Sequence, residues 1–351
     1  MRLLNGLLNL PVDVFVPGEE GRCLAKIIGI QGRAFVVTAP ARSNRLLWPR
    51  QDSTLRLVFP TSRAASLSVE GIIRERRLVP VPLLVVEVEQ RLPIQDVLGC
   101  IPVGGRVVVV TGGKGGTGKT FVSINLAFLL ARQGHRTALL DCDWGTANID
   151  LNLGILAEGH LGQVFRGERE IHSICLSLDS QLDLYPGKGA DPGAAHLTQW
   201  DLARFLGVLA DLERKYAFVI LDSAPGLGRD LAAVLLAARD VILVLNDTPS
   251  AIVDAYGVLK AIRRQTHLPR VFLVMNRYGP DSQEAVQRFQ EVSREFLGEA
   301  PVFLGPIRED PHVPMADRQR RPLVLHSPQS LAALDLKVIA GRLAKPPEAG
   351  S

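Results

Sequence analysis

Two hydrophobic rhythms divide the chain. Between residues 12 and 90, short runs rich in Val, Ile and Leu recur at Val12–Val16, Leu24–Ile30, Ala34–Thr38, Leu55–Phe59, Leu67–Ile73 and Leu83–Val88. Gly18, Gly21, Gly32 and several prolines break them and helical periodicity is absent, so the segment predicts a small antiparallel β-barrel. From Arg106 onward strand-like runs alternate with helical patterns. The predicted strands are Arg106–Thr111, Thr137–Cys142, Ala217–Asp222, Asp240–Leu245, Val271–Asn276 and Pro301–Leu304. That alternation predicts an α/β domain, a mostly parallel sheet flanked by helices. Arg91–Gly105 holds Pro93, Pro102 and three glycines, which places the boundary there. The expected organisation is a β domain at 1–92, a linker at 93–105, an α/β domain at 106–344 and a tail at 345–351. In the last predicted helix, Ser330–Leu343, Leu331, Leu334 and Val338, with Ile339 one residue on, share a face expected to pack on the core.

Composition narrows the class only a little. At 351 residues, 47% hydrophobic and 22% charged, the chain has a globular balance and room for two domains. No run approaches the roughly 20 apolar residues of a membrane span, and the Leu-rich N-terminal dozen is cut by Asn5, Asn9 and Pro11, so a cytoplasmic protein is expected. Cys23, Cys100, Cys142 and Cys175 have neither paired nor metal-ligand spacing and read as reduced core thiols. All of the +4 net charge lies in residues 1–105. Arg74, Arg76 and Arg77 are read there as charge on an exposed edge strand.

The chemistry concentrates after the first strand of the second domain. Gly113, Gly118, Lys119 and Thr120 satisfy G-x-x-x-x-G-K-[ST] between an apolar strand and a helix start. Glycines let backbone N–H groups approach phosphate oxygens, and the helix N-terminus adds a favourable dipole. Gly113, Lys114, Gly115, Gly116, Thr117, Gly118, Lys119, Thr120 and Phe121 are therefore the candidate phosphate cradle, Lys119 reaching the β/γ-phosphates and Thr120 a Mg²⁺ ion. The following helix is expected to run to about Gln133, stopped by Gly134. Asp222 ends the apolar run Ala-Phe-Val-Ile-Leu, which is how a strand-end carboxylate is presented to such a metal.

Lys114 gives the loop two lysines, Lys-Gly-Gly-Thr-Gly-Lys-Thr. With it the sequence resembles the MinD/ParA group of P-loop ATPases with the deviant Walker A motif, and within that group the FlhG flagellar-placement ATPases. The resemblance implies ATP and Mg²⁺ as cofactors, slow hydrolysis and an ATP-dependent homodimer in which Lys114 contacts the partner's nucleotide. It implies that Asp143 orients the attacking water, that Asp141 approaches the metal through its water shell, and that Gly226 in Ser223-Ala-Pro-Gly226 offers its N–H to the γ-phosphate. Asn276, in Met-Asn-Arg277, corresponds to an adenine-binding asparagine. Leu304–Asp310 occupies the place of a second base-contacting loop, with Arg308 where proline is usual. The separate C-terminal membrane helix of such proteins has no counterpart in Lys345–Ser351, so direct membrane anchoring is expected to be weak or absent.

Residues 10–90 are similar to the N-terminal half of flagellar-brake proteins, the PilZN domain, through Leu55-Arg-Leu-Val-Phe-Pro-Thr-Ser62 and Val69-Glu-Gly-Ile-Ile-Arg74. The cyclic di-GMP strand signature of those proteins is missing, so that ligand is not expected. Both resemblances imply a flagellar or motility partner. Two other readings stay open: a regulatory nucleotide-binding module with little turnover, and a ParA-like ATPase that partitions cargo or DNA.

Overall fold

A computed structural model describes residues 10–31, 33–42, 45–59, 67–78, 81–88, 105–187, 198–226, 228–264 and 269–345. Nearly all of the expected linker, and the tail after residue 345, lie outside the described residues.

The N-terminal unit contains β1 (Pro11–Phe15), β2 (Cys23–Gln31), β3 (Ala34–Thr38), β4 (Ala41–Arg42), β5 (Arg45–Leu46), β6 (Thr54–Phe59), β7 (Leu67–Arg77) and β8 (Leu83–Val88). Six of these close a barrel in the order β1-β6-β7-β8-β3-β2, with β2 returning to β1, and every pairing is antiparallel. The six sequence-predicted strands are all present. The β4–β5 hairpin was not anticipated, since two-residue strands carry no periodicity.

β7 pairs with β6 through Leu67–Ile72 and with β8 through Gly71–Arg77, so Arg74, Arg76 and Arg77 lie where the strand has β8 on one side and no β6 partner on the other, an exposed edge as expected. Arg74 pairs with Glu87 at 2.6 Å, Arg77 with Glu75 at 2.7 Å, and the Arg76 guanidinium stands 5.3 Å over the Trp48 ring.

The barrel strands differ in their outward faces. Val12, Val14, Ile27, Phe35, Val37, Leu84 and Val86 fill the interior. On β2, β3 and β8 the alternate residues Ile28, Val36, Leu83 and Val85 are also buried, in one apolar cluster with Phe205, Leu209 and Leu235 of the second unit. Apolar residues at consecutive positions are what a strand covered on both sides requires. β6 and β7 alternate apolar with Arg and Glu, as a strand facing water should.

The second unit contains β9 (Arg106–Thr111), α1 (Lys119–Arg132), β10 (Thr137–Cys142), α2 (Ile149–Asn152), α3 (Leu161–Phe165), β11 (Leu176–Asp179), β12 (Leu182–Tyr185) and α4 (Gln199–Leu212). It continues with β13 (Phe218–Ser223), α5 (Arg229–Ala237), β14 (Asp240–Leu245), α6 (Pro249–Arg263), β15 (Arg270–Tyr278), α7 (Ser282–Leu297), β16 (Val302–Arg308), α8 (His312–Arg318), α9 (Leu323–His326) and α10 (Leu331–Ala344). The sheet order is β11-β12-β10-β13-β9-β14-β15-β16, parallel except for β11. The six expected strands form its bulk. The β11–β12 hairpin, four residues a strand, went unread.

β9 shows how the layers arise. Val108 and Val110 face α1 and α10, while Val107 and Val109 face the layer holding α4, α5 and α6. α1 starts at the expected lysine and is stopped by Gly134 at φ +87°. α10 has the expected extent but not the expected face. Its core side is Ala332, Ala333, Leu336, Ile339, Ala340 and Leu343, whereas Leu331, Leu334 and Val338 are 50%, 36% and 53% exposed. The alanines let the helix approach β16 and α1 closely, and leucines on both sides of the helix leave its periodicity ambiguous.

Candidate nucleotide site

The parallel sheet reverses its winding at β9: the chain runs from it toward β10 and β12 on one side and later toward β14, β15 and β16 on the other. Ligands of such sheets bind at the carboxyl ends of strands at that point. Gly112–Gly118 leaves β9 there and turns into α1. Two glycines are dictated by space. A Cβ at Gly113 would stand 2.1 Å from the Asp254 carbonyl carbon on α6. Gly118, at φ +98°, would place one 2.1 Å from Asn276 Nδ2. The loop is thus pressed between α6 and the end of β15, with its amides at the N-terminus of a fourteen-residue helix.

Lys119 is nearly buried, and its Nζ donates to the Lys114 carbonyl at 3.3 Å. Burial pushes its pKa down, against the attraction of Asp222 and Asp143. Thr120 Oγ1 donates to Asp222 Oδ2 at 2.7 Å and Ser123 Oγ to Asp222 Oδ1 at 2.9 Å. Asp222 is buried at the end of β13, where burial and then the charge of Asp141 raise its carboxyl to about 7, opposed by the two hydroxyls and Lys119. Ser123 was missed in the sequence. It lies one helical turn beyond Lys119 and faces the sheet, which its place in the helix start implied.

The strand-end aspartates of β10 take different postures. Asp141 is buried, and its Oδ2 accepts the Asn148 and Ile149 N–H groups at 2.9 and 3.0 Å while Oδ1 accepts that of Asp143 at 3.2 Å. Burial raises it to about 6, those amides opposing the rise. It holds the following segment against the strand. Asp143 accepts from Thr146 N at 3.1 Å and Thr146 Oγ1 at 2.9 Å, closing a turn. Lys114 is exposed, and its Nζ donates to Ser250 Oγ at the start of α6, 2.8 Å away.

Beside the loop lies a cleft of about 500 Å³ lined by Gly116, Gly118, Lys119, Thr120, Phe121, Asn276, Arg277, residues 307–310, Val313, Pro314 and Asp317. Asn276 Nδ2 donates to the Thr117 carbonyl at 2.9 Å, and Arg277 sits at φ +53°. Ile307, Val313 and Pro314 add apolar wall, and Arg308 is held off by a two-point pair with Asp335 of α10 at 2.7 and 2.8 Å. The α8 wall was not read from the sequence because nothing local marks it. Gly226 stands at φ +91° at the end of β13's loop, with no atom within 4 Å of its virtual Cβ.

Thr120, Asp222 and the nearby Asp141 present oxygen donors only, which suits a hard cation such as Mg²⁺. A cation there would favour the charged form of both carboxyls against the burial that raises them. Among the described residues no group of three His, Cys, Asp or Glu forms a metal cage. P-loop sites need none, since water and phosphate oxygens complete the shell.

A glycine loop on the switch-point strand, with a buried lysine, a hydroxyl and a strand-end carboxylate around one cleft, defines a P-loop nucleotide-binding protein. Residues 108–323 match the CobQ/CobB/MinD/ParA nucleotide binding domain. The chain belongs to that family and is a MinD/ParA-class ATPase. It is 32% identical over 241 residues to the antiactivator FleN of Pseudomonas aeruginosa, spanning 68% of this chain and 86% of that protein. It is 27% identical over 253 residues to the flagellum site-determining protein YlxH of Helicobacter pylori, spanning 70% and 84%. Among solved structures it resembles the cell division ATPase MinD of Pyrococcus furiosus, with TM-score 0.60, 26% identity, and coverage of 68% and 98%. MinD of Pyrococcus horikoshii, solved with Mg-ADP, gives TM-score 0.60, 26% identity, and coverage of 69% and 96%.

Among the described residues no helix is long and apolar enough to cross a membrane.

Proposed function

We propose that the chain is an ATP-dependent dimerising switch that controls flagellar placement, number or motility. Mg·ATP is held between two subunits, Lys119 and Thr120 binding the phosphates from one and Lys114 reaching them from the other. Asp143 leaves Thr146 to orient the attacking water. Gly226 reads the γ-phosphate, and Asn276, Arg277 and the 307–317 wall hold the base. Mg²⁺, on Thr120 and Asp222 with Asp141 behind its water shell, supplies charge neutralisation to the phosphates.

One observation carries the reading. The Lys114 ammonium is held away from its own cradle on an exposed seryl hydroxyl, whereas Lys119 is folded into that cradle. An outward-facing lysine in such a loop supports a contact with a second molecule. The flagellar assignment draws on FleN and YlxH, whose names concern antiactivation and flagellum site determination, and on the barrel's similarity to the flagellar brake.

The association state measured with ATP and with ADP tests the switch. Wild type should dimerise with ATP alone and Lys114→Ala should stay monomeric; an ATP-independent monomer rejects the proposal. The turn that engages Asp143 favours a second reading, a nucleotide-binding regulatory module with little turnover. Asp143→Ala should abolish phosphate release under the first reading. Unchanged release supports the second.

A further inference from the structure

The relatives are matched over 84–86% of their own length by about two thirds of this chain, so the barrel is an addition to the ATPase they share. Its place on that ATPase is specific. The outward residues of β2, β3 and β8 are apolar where the barrel meets α4 and α5, and Gly207 on α4 is the only size that fits, a Cβ there falling 2.5 Å from that of Ala41. Trp48 packs edge-on against Trp200 with ring centroids 5.4 Å apart, and Asp13 pairs with Arg214 at 2.8 Å.

At the centre is Lys26 of β2, fully buried. Its ammonium donates to the carboxylate of Glu213, at the end of α4, and to the carbonyl of Ala237, the last residue of α5, at 3.2 Å. A cation on a final helix carbonyl is also favoured by the helix dipole. The backbone carbonyl of Glu213 in turn accepts the N–H of Gly105, at the root of the strand that carries the phosphate loop, at 2.5 Å.

α5 therefore has two masters. It begins at Arg229, three residues after Gly226, and ends on the barrel's lysine. Nine residues at 1.5 Å each make it a rod of roughly 13 Å between those points. A shift of the Gly226 loop that carried α5 with it would move the carbonyl that Lys26 holds, and a buried ion pair is not indifferent to such a shift, since separation leaves charge uncompensated in a dry interface.

We propose that the barrel is a built-in regulatory domain whose seating on α4 and α5 is coupled to the nucleotide state through the Gly226 loop. This rests on the ATP-switch reading above. Coupling is reciprocal: if ATP and ADP seat the barrel differently, whatever binds or displaces the barrel changes the preference for ATP by the same factor. A passive platform, packed as tightly, would show no coupling.

The test uses the full chain. Amide hydrogen exchange is compared without nucleotide, with Mg·ADP and with a non-hydrolysable Mg·ATP analogue. Dissociation constants for ADP and the analogue are then measured in wild type, Lys26→Met and Gly207→Leu, with circular dichroism as the folding check. Protection in β2, β3 and α4 should differ between the two nucleotides, and each folded variant should change the ratio of the two constants at least about fivefold. Ratios within twofold of wild type, with nucleotide-independent protection in the barrel, overturn the proposal. Should neither variant fold, the wild-type exchange comparison decides it. A wild type that binds neither nucleotide overturns this proposal and the switch together; one that binds both but never dimerises rejects only the dimerising switch.

Discussion

Replacing Lys26 by Met keeps most of the side-chain stem and removes the charge, which isolates what the ammonium does for the interface between the two units. Glu213 is 3% exposed and Lys26 0%. Breaking a buried pair from one side costs about 3–5 kcal/mol, because the other charge remains desolvated. Glu213 has an escape, since it can take a proton. Burial already holds its carboxyl up at about 6 with Lys26 opposing the rise, and Arg239 and Arg214 also face it. Its folded pKa lies above the unfolded value, so the associated stability is present below the unfolded pKa and is lost as pH rises through the folded one. Without Lys26 the folded value climbs further, and the loss continues to higher pH. The deficit of Lys26→Met relative to wild type should therefore widen between pH 5.5 and pH 8, by up to about 1.4 kcal/mol per pH unit within the window. Urea titrations at both pH values, followed by circular dichroism and by tryptophan fluorescence that reports on Trp48 and Trp200, measure it. Lys26→Met combined with Glu213→Leu should recover most of the deficit, since neither buried charge of the pair is then left without the other, although the Ala237 carbonyl loses its lysine donor. A deficit under about 1 kcal/mol, or one equal at the two pH values, would refute the claim that a dry ion pair joins the units.

Three further outcomes are expected. Gly118→Ala forces a side chain into Asn276 at a backbone angle that disfavours it, and calorimetric titration should show ATP affinity falling at least about tenfold. Asp310→Asn should lower stability by about 1–2 kcal/mol at pH 7 and weaken ATP binding, because Asp310 ties the pocket wall to α10 through His312 N and Ala332 N, both at 2.9 Å. Burial alone would raise that carboxyl, but the amides of Ala332 and His312 and the His312 ring outweigh it and hold it near 2, so its contribution is present above the unfolded pKa and fades as pH falls through the folded value. On α10, Leu336→Ala should cost about 2–5 kcal/mol in thermal or urea unfolding and Leu334→Ala under about 1, which checks the observed face of the helix against the one its leucines imply.

How far the chain could be read ahead of its fold depends on the range of each signal. Strand and helix periods, the glycine loop and the apolar run into Asp222 are local, and they determined the barrel, the parallel sheet and the phosphate cradle without reference to anything distant. The second lysine was legible as a departure from the ordinary loop. Its hydrogen bond to Ser250 was not, because the two are 136 residues apart. Asp141 and Asp143 could be picked out as a pair, yet only the folded chain distinguishes them: one carboxylate is buried under three backbone amides and the other closes an exposed turn on Thr146. The doubled apolar runs of β2, β3 and β8 stood in the sequence throughout. They could not say what covers them, since a barrel strand records that its outer face is dry and not which surface dries it. That α10 turns its alanines inward, and that a strand lysine ends on the carbonyl of a helix rooted beside Gly226, were decided by packing. Such contacts arise where segments meet in space, and local composition carries no record of the meeting.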